Sequence, residues 1–424
     1  MQYSAHYWGC PIRPTMGTPP SDTVQPDRMH WLIVSSGIVA LAVAMGIGRF
    51  AFTPLMPLML RDGTLTVAAG AEWAAANYIG YLLGALTAAW FSRNPRRGLQ
   101  LALVGVALTT LAIAGTGHGS PPWMGALLRG AAGVFSAWAL VCTSGWGLAE
   151  LARRQAPQLG AWIYVGVGLG IALAGTLAWL GGPQPAQWLW LEMGLLAAGG
   201  ALFVGWKLQQ HAATAGTAAA APPPAPSPRT ATHGNLPLVL CYGTFGFGYI
   251  VPATFLPAMA RQQVADPLVF GLTWPLFGLA AALSVMAAAR YLSAWPRRRV
   301  WALAQGTMAL GTALPLATPS LWALAASAVL VGGTFMVATM AGLQLARERL
   351  PNNPTPLLSR MTVAFAAGQI LGPLLVRAIG PGLVAGWDAL AWANAAATVL
   401  LIVSAAWLWR DSNPPPSTLT KHLP

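Results

Sequence analysis

Acidic residues are scarce in this sequence: ten Asp and Glu stand against 23 Lys and Arg, and charged residues make up only 8% of 424 positions. A water-soluble domain carries about 25% charged residues, so this chain has too little polar surface to face water at its size. Cysteine is nearly missing. Cys10, Cys142 and Cys241 form no metal-ligand spacing, and the last two fall inside apolar runs, where small buried hydrophobes are expected. The six histidines, His6, His30, His118, His211, His233 and His422, lie in tails, loops or at the borders of apolar runs. HExxH, GxSxG and the glycine-rich nucleotide loops are all missing, and Ser144 in CTSGWG lacks a histidine partner. These absences argue against an enzyme or an ATP-driven pump and point to no metal or cofactor. Residues Met1 to Arg28 lack the continuous apolar core of a secretory signal. They read as a disordered cytoplasmic tail (1–28), with Met29 an alternative start to Met1.

Hydrophobic residues, by contrast, make up 56% of the chain and come in long runs. A helix needs about 20 apolar residues to cross the hydrocarbon core. Twelve stretches qualify: Trp31–Leu60, Gly70–Phe91, Leu99–Thr116, Trp123–Leu148, Leu159–Leu180, Trp188–Trp206, Leu236–Ala260, Leu268–Leu292, Val300–Ala317, Leu321–Leu345, Leu357–Ile379 and Trp387–Trp409. Pro315 and Pro319 crowd the end of the ninth. The Ala/Pro-rich stretch 209–235 divides the spans six and six and reads as a linker. The expected architecture is an all-α membrane protein with twelve transmembrane helices in two pseudo-symmetric six-helix bundles, 29–208 and 236–410, closed by a second tail, 411–424.

The net charge of +13 is no nucleic-acid signal, because the basic residues line one side of the membrane. With both termini cytoplasmic, the outer loops and helix ends hold only Arg61, Arg261 and Arg377, and the inner loops and tails hold nearly all the rest. Arg49 and Arg129 remain inside spans.

The halves echo each other. GIGRFAFTPLMPLMLR (Gly46 to Arg61) aligns without gaps on GFGYIVPATFLPAMAR (Gly246 to Arg261), sharing both glycines, a proline, a methionine and the final arginine. Repeated Gly/Pro-interrupted helices in matching positions point to a transport site between the repeats.

GIGRFAFTPLMP, followed by ANYIGYLLGAL, resembles the first two helices of the YbfB/YjiJ-like branch of the major facilitator superfamily. Superfamily motifs are present in worn form. SRNPRRG keeps the basic residues and glycine of the loop after the second helix but lacks its Asp, and RGAAGVFSA begins with the intramembrane Arg129. GVGLGIALAG in the fifth helix lacks the proline of the antiporter pattern, while GQILGP stands in the eleventh. The resemblance implies secondary transport of a small solute by alternating access, in the cytoplasmic membrane, with lipids as neighbours and a monomer as the default.

Candidate site residues follow from burial cost. A guanidinium inside a span costs about 2.5 kcal/mol or more and faces a cavity or a partner. Arg49 and Arg129 sit at comparable depth, about 9–14 Å below the outer face at 1.5 Å per residue. Two cations near one level favour an anion between them, and the competing reading is that each ties helices together through carbonyls. Asn77, Tyr78 and Tyr81 in the second helix, Tyr249 (the seventh-helix counterpart of Arg49) and Gln369 in the eleventh complete the substrate-binding set. None of the acids lies at a span's centre, so an organic cation is a poor substrate, and Glu72 and Glu192 near outer helix ends are the candidates for a coupling proton. The favoured substrate is an organic anion or a carboxylate-bearing zwitterion. The alternatives are efflux of neutral or amphipathic compounds and a non-transporting sensor or scaffold.

Overall fold

The computed structural model describes residues 28–117, 120–214, 235–263, 271–318, 320–350, 354–380 and 382–410. Both tails (apart from Arg28), the start-site question and most of the expected linker lie outside the described residues. The described chain is almost wholly helical; the lone β-bridge pairs Val384 with Trp387 in the loop before the last helix. The helices are α1 (Arg28–Arg61), α2 (Val67–Phe91), α3 (Pro95–Ala114), α4 (Pro122–Arg153), α5 (Pro157–Leu180) and α6 (Ala186–Thr214). The second half comprises α7 (Leu236–Gln263), α8 (Thr273–Tyr291), α9 (Arg297–Ala317), α10 (Leu321–Arg349), α11 (Thr355–Ile379) and α12 (Ala389–Arg410).

Eleven of these are long and apolar enough to cross a membrane. The twelfth, α2, is long enough at 25 residues and is diluted by Glu72, Asn77, Tyr78 and Tyr81. That polarity has a use, as the site below makes plain. α6 runs on to Thr214, past the expected boundary at 208, because Lys207, Gln209 and Gln210 continue a helix as readily in water as the apolar run does in lipid. α9 passes through Pro315 to Ala317.

Each half repeats one packing scheme. In the first, α4 packs on α2 and α3, α3 on α6, and α1 on α5; in the second, α10 packs on α8 and α9, α9 on α12, and α7 on α11. The halves meet along α5 against α8 and α2 against α11. Small residues set these distances. A Cβ on Gly168 would run into the backbone of Ala282, and one on Gly278 into that of Ala172, so α5 and α8 touch backbone to backbone across the seam. Gly80 of α2 approaches Gly130 of α4 in the same manner, which is the packing expected of its spacing with Gly84.

The outward faces carry leucine and tryptophan in the open, among them Leu202 at 75% and Trp322 at 84% exposure, the reverse of a soluble protein. Trp31, Trp123, Trp188, Trp387 and Trp409 stand exposed near helix ends, where interfacial anchors belong. Cys142 and Cys241 are buried and unpaired with each other.

Regular α-helix fails at one place in α1. From Ala42 to Phe50 the chain winds as a π-helix, between α-helical Arg28–Leu41 and Phe52–Arg61. Pro54 just beyond supplies no N–H to the turn before it. α4 adds side-chain donors to this stretch. Ser136 Oγ donates to the Ala44 carbonyl at 2.7 Å, and Arg129 donates through Nη1 to Gly48 at 2.9 Å and through Nη2 to Arg49 at 2.8 Å.

Candidate functional site

The π-helical stretch ends by presenting Arg49, 3% exposed, to the seam between the halves. Its Nη2 donates to Oε1 of Gln369 on α11, and Gln369 Nε2 donates to the Tyr249 hydroxyl on α7. Arg49 and Tyr249, which correspond in the internal repeat, thus meet on one amide. The guanidinium carbon lies 3.9 Å from the ring centroid of Tyr81 and 6.0 Å from that of Tyr78. A cation over an aromatic face gains about 0.5–2 kcal/mol. Arg49 Nε and Nη1 have no hydrogen-bond partner among the described residues, and no carboxylate pairs with this cation there.

Four of the seven expected binding residues, Arg49, Tyr81, Tyr249 and Gln369, therefore come together, with Tyr78 at the edge. Arg129 and Asn77 do not join them. Arg129 is 2% exposed, with both terminal nitrogens on α1 carbonyls and its guanidinium 5.0 Å from the Phe52 ring. Asn77 Nδ2 donates to the Arg129 carbonyl at 2.9 Å, tying α2 to α4. Arg129 thus holds the π-helical segment in place behind Arg49, and Asn77 fastens the helix that carries Arg129. The two arginines are near each other, as their common depth suggests, yet their donors point different ways.

Glu72 is exposed and Glu192 half-buried; neither lines the seam cavity. Glu150, at the end of α4, is buried instead and pairs with Arg153 at 2.6 Å and Arg154 at 2.9 Å. Asn394 bonds its own helix at Leu390. Ser144, without a histidine beside it in sequence, shares a hydrogen bond of 3.0 Å with the Tyr164 hydroxyl.

On the seam, behind the Phe50, Tyr81 and Tyr249 side chains that neighbour Arg49, lies a small cavity of about 20 Å³. Its walls are mostly aromatic. Phe50 and Tyr81 come from the first half, and Tyr242, Tyr249, Phe335 and Phe365 from the second. Tyr249 is stacked between Phe335 (5.5 Å, 11°) and Phe365 (5.4 Å, 3°). Contacts across the seam are edge-on: Phe50 to Phe335 at 6.1 Å and Tyr81 to Phe365 at 6.5 Å. Sequence reasoning missed Phe50, Phe335 and Phe365, since a phenylalanine in an apolar run carries no spacing signal that separates cavity wall from core. At the end of the bundle where α4 and α10 finish, Arg347 Nη2 donates to the Ser144 carbonyl at 2.9 Å and closes the seam.

Comparison with known proteins places the architecture. The solved structures similar to this chain include a D-xylose–proton symporter (TM-score 0.63, 14% identity, covering 90% of this chain and 97% of that one). They also include the nucleoside transporter NupG (0.60, 12%, 90% and 100%) and the human organic anion transporter MFSD10, or TETRAN (0.62, 17%, 91% and 99%). At these identities the likeness is one of fold, the major facilitator fold of two six-helix halves. No curated protein sequence matches the chain. The sequence profile of the family described as "Uncharacterised MFS-type transporter YbfB" matches residues 41–407, from the π-helical segment to the last turns of α12. The chain therefore belongs to the YbfB family of major facilitator transporters, multi-pass membrane proteins that move small molecules and are not enzymes.

Proposed function

We propose that this protein is a secondary transporter of small organic anions bearing a carboxylate, working by alternating access in the cytoplasmic membrane with both termini cytoplasmic. The observation that carries the reading is Arg49: a buried cation on the seam, without a carboxylate partner among the described residues and with two unused donors. Leaving a buried charge uncompensated costs several kcal/mol, on the order of what an incoming carboxylate would recover. Gln369 and Tyr249 hold the guanidinium in position from the opposite half. In this reading the halves 29–208 and 236–410 rock as units about the 209–235 linker, and a monomer suffices. Glu72 and Glu192, away from the cavity, are poor carriers for a coupling proton, so we assign coupling to neither. One of the fold neighbours is named as an organic anion transporter and another as a proton symporter, which agrees with the reading without choosing among substrates.

The aromatic walls of the cavity favour a second reading, efflux of neutral or amphipathic compounds. A thermal-shift screen of the detergent-purified protein against carboxylates, sugars and lipophilic cations separates the two, with Arg49→Ala run alongside. A ligand that binds only the folded state stabilises it by about 2.7 kcal/mol at one hundred times its dissociation constant. A carboxylate-dependent shift that vanishes in the variant supports the anion site. A shift with neutral or cationic amphiphiles alone, unchanged in the variant, overturns it.

A further inference from the structure

The groups around Arg49 also restrict what the rest of the anion can be. We infer that the site selects monocarboxylates with a flat aromatic body over sugar acids, dicarboxylates and amino acids; this rests on the reading of Arg49 as the anion contact.

The body of the ligand must lie against the cavity wall, which is mostly ring and aliphatic surface with the Tyr81, Tyr242 and Tyr249 hydroxyls set into it. Thr339 donates its hydroxyl proton to the Phe335 carbonyl at 2.9 Å, and Thr362 donates to Leu358 at 2.8 Å. The Tyr249 hydroxyl already accepts from Gln369. The several hydroxyls of a sugar acid would exchange water for a wall that offers three phenols among apolar rings and methyls, and buried polar groups left without partners are penalised. A second carboxylate would need a second cation, and the terminal nitrogens of Arg129 are held on the carbonyls of Gly48 and Arg49. An ammonium group would find no acidic side chain in the lining.

An aromatic ring meets a prepared surface. Phe335, Tyr249 and Phe365 form a ladder of near-parallel rings that belongs wholly to the second half. Phe50 and Tyr81 of the first half touch that ladder edge-on, at 6.1 and 6.5 Å, so the ladder itself stays intact when the halves separate. A ring entering between them would stack on Phe335 or Phe365 and bring its carboxylate to Nε and Nη1 of Arg49. The present cavity is far smaller than such a ligand, so the halves must part to admit it.

The test measures binding of benzoate, phenylacetate, gluconate, succinate and phenylalanine to the full-length purified protein by calorimetry, with Phe335→Leu as a second sample. Benzoate or phenylacetate is expected to bind at least about tenfold more tightly than gluconate and succinate, since stacking and ring burial exceed one decade of affinity, and more tightly than phenylalanine, whose ammonium meets no carboxylate in the lining. Phe335→Leu should narrow that gap by weakening the aryl acids more than gluconate or succinate. Gluconate, succinate or phenylalanine binding as tightly as the aryl acids overturns this inference but spares the anion site. Failure of every carboxylate to bind overturns both. The ranking in the unmodified protein decides the matter even if Phe335→Leu does not fold.

Discussion

The two buried arginines should respond to the same substitution with opposite signs. Arg49→Met and Arg129→Met each replace a guanidinium with an apolar side chain that fits a similar path. At position 49 the loss is one hydrogen bond to Gln369, worth about 1.5–3 kcal/mol for a charged donor, and a cation–π contact with Tyr81 worth up to about 2 kcal/mol. The gain is relief of two unsatisfied buried donors at about 1–3 kcal/mol each, plus part of a desolvation cost of several kcal/mol for the ion. These terms leave Arg49→Met as stable as the parent or more so, by up to about 2 kcal/mol. At position 129 the ledger reverses. Both terminal nitrogens serve buried carbonyls of the π-helical segment, and the substitution removes both bonds. A loss of about 2–5 kcal/mol is expected for two buried acceptors that lose a charged donor. Thermal unfolding of the two variants without ligand, at matched detergent and pH, reads the difference. A destabilisation of Arg49→Met by more than about 1 kcal/mol would refute the assignment of strain to Arg49 and make it a strut.

Three further outcomes can be checked with simple variants. Gln369→Glu puts a carboxylate where Arg49 now meets an amide, so anion binding measured by calorimetry at neutral pH should fall by about tenfold or more. Gly168→Leu places a side chain into the backbone of Ala282, so transport in vesicles should be lost while the helix content by circular dichroism is kept, as the clash lies on the seam between halves and not inside one. Arg347→Ala removes the donor to Ser144 that fastens the end of the seam, and a cysteine introduced at Thr339 should then react faster with a water-soluble thiol reagent, by about tenfold or more for a bond worth about 1.5–3 kcal/mol.

Much of this fold was written in composition. The span count and the six-and-six division follow from apolar runs that only lipid can solvate, and α2 was counted correctly despite polar residues that take it below an ordinary hydropathy threshold. The repeat between Gly46–Arg61 and Gly246–Arg261 was legible too, and with it the equivalence of Arg49 and Tyr249. That both would converge on Gln369 was not, because nothing in spacing reveals which residues face each other across two separately folded bundles. The exchange of roles by Arg129 has a similar cause. Equal depth in the membrane is a one-dimensional measure, and the π-helical turn that claims Arg129 depends on the local hydrogen-bond register around Pro54.

The joint use of Gln369 by Arg49 and Tyr249 has a consequence for how charge would move. The cation belongs to one half, and its counterpart in the other half is a neutral phenol. An anion gripped by Arg49 would stay with the first half through the whole cycle, while the second half offers only dipoles that can be let go and taken up again. Rocking would then shuttle the aqueous openings around a nearly stationary ion pair, so the electrical work of turnover would be done by ions crossing the two vestibules, and little of it by the swing of the protein itself.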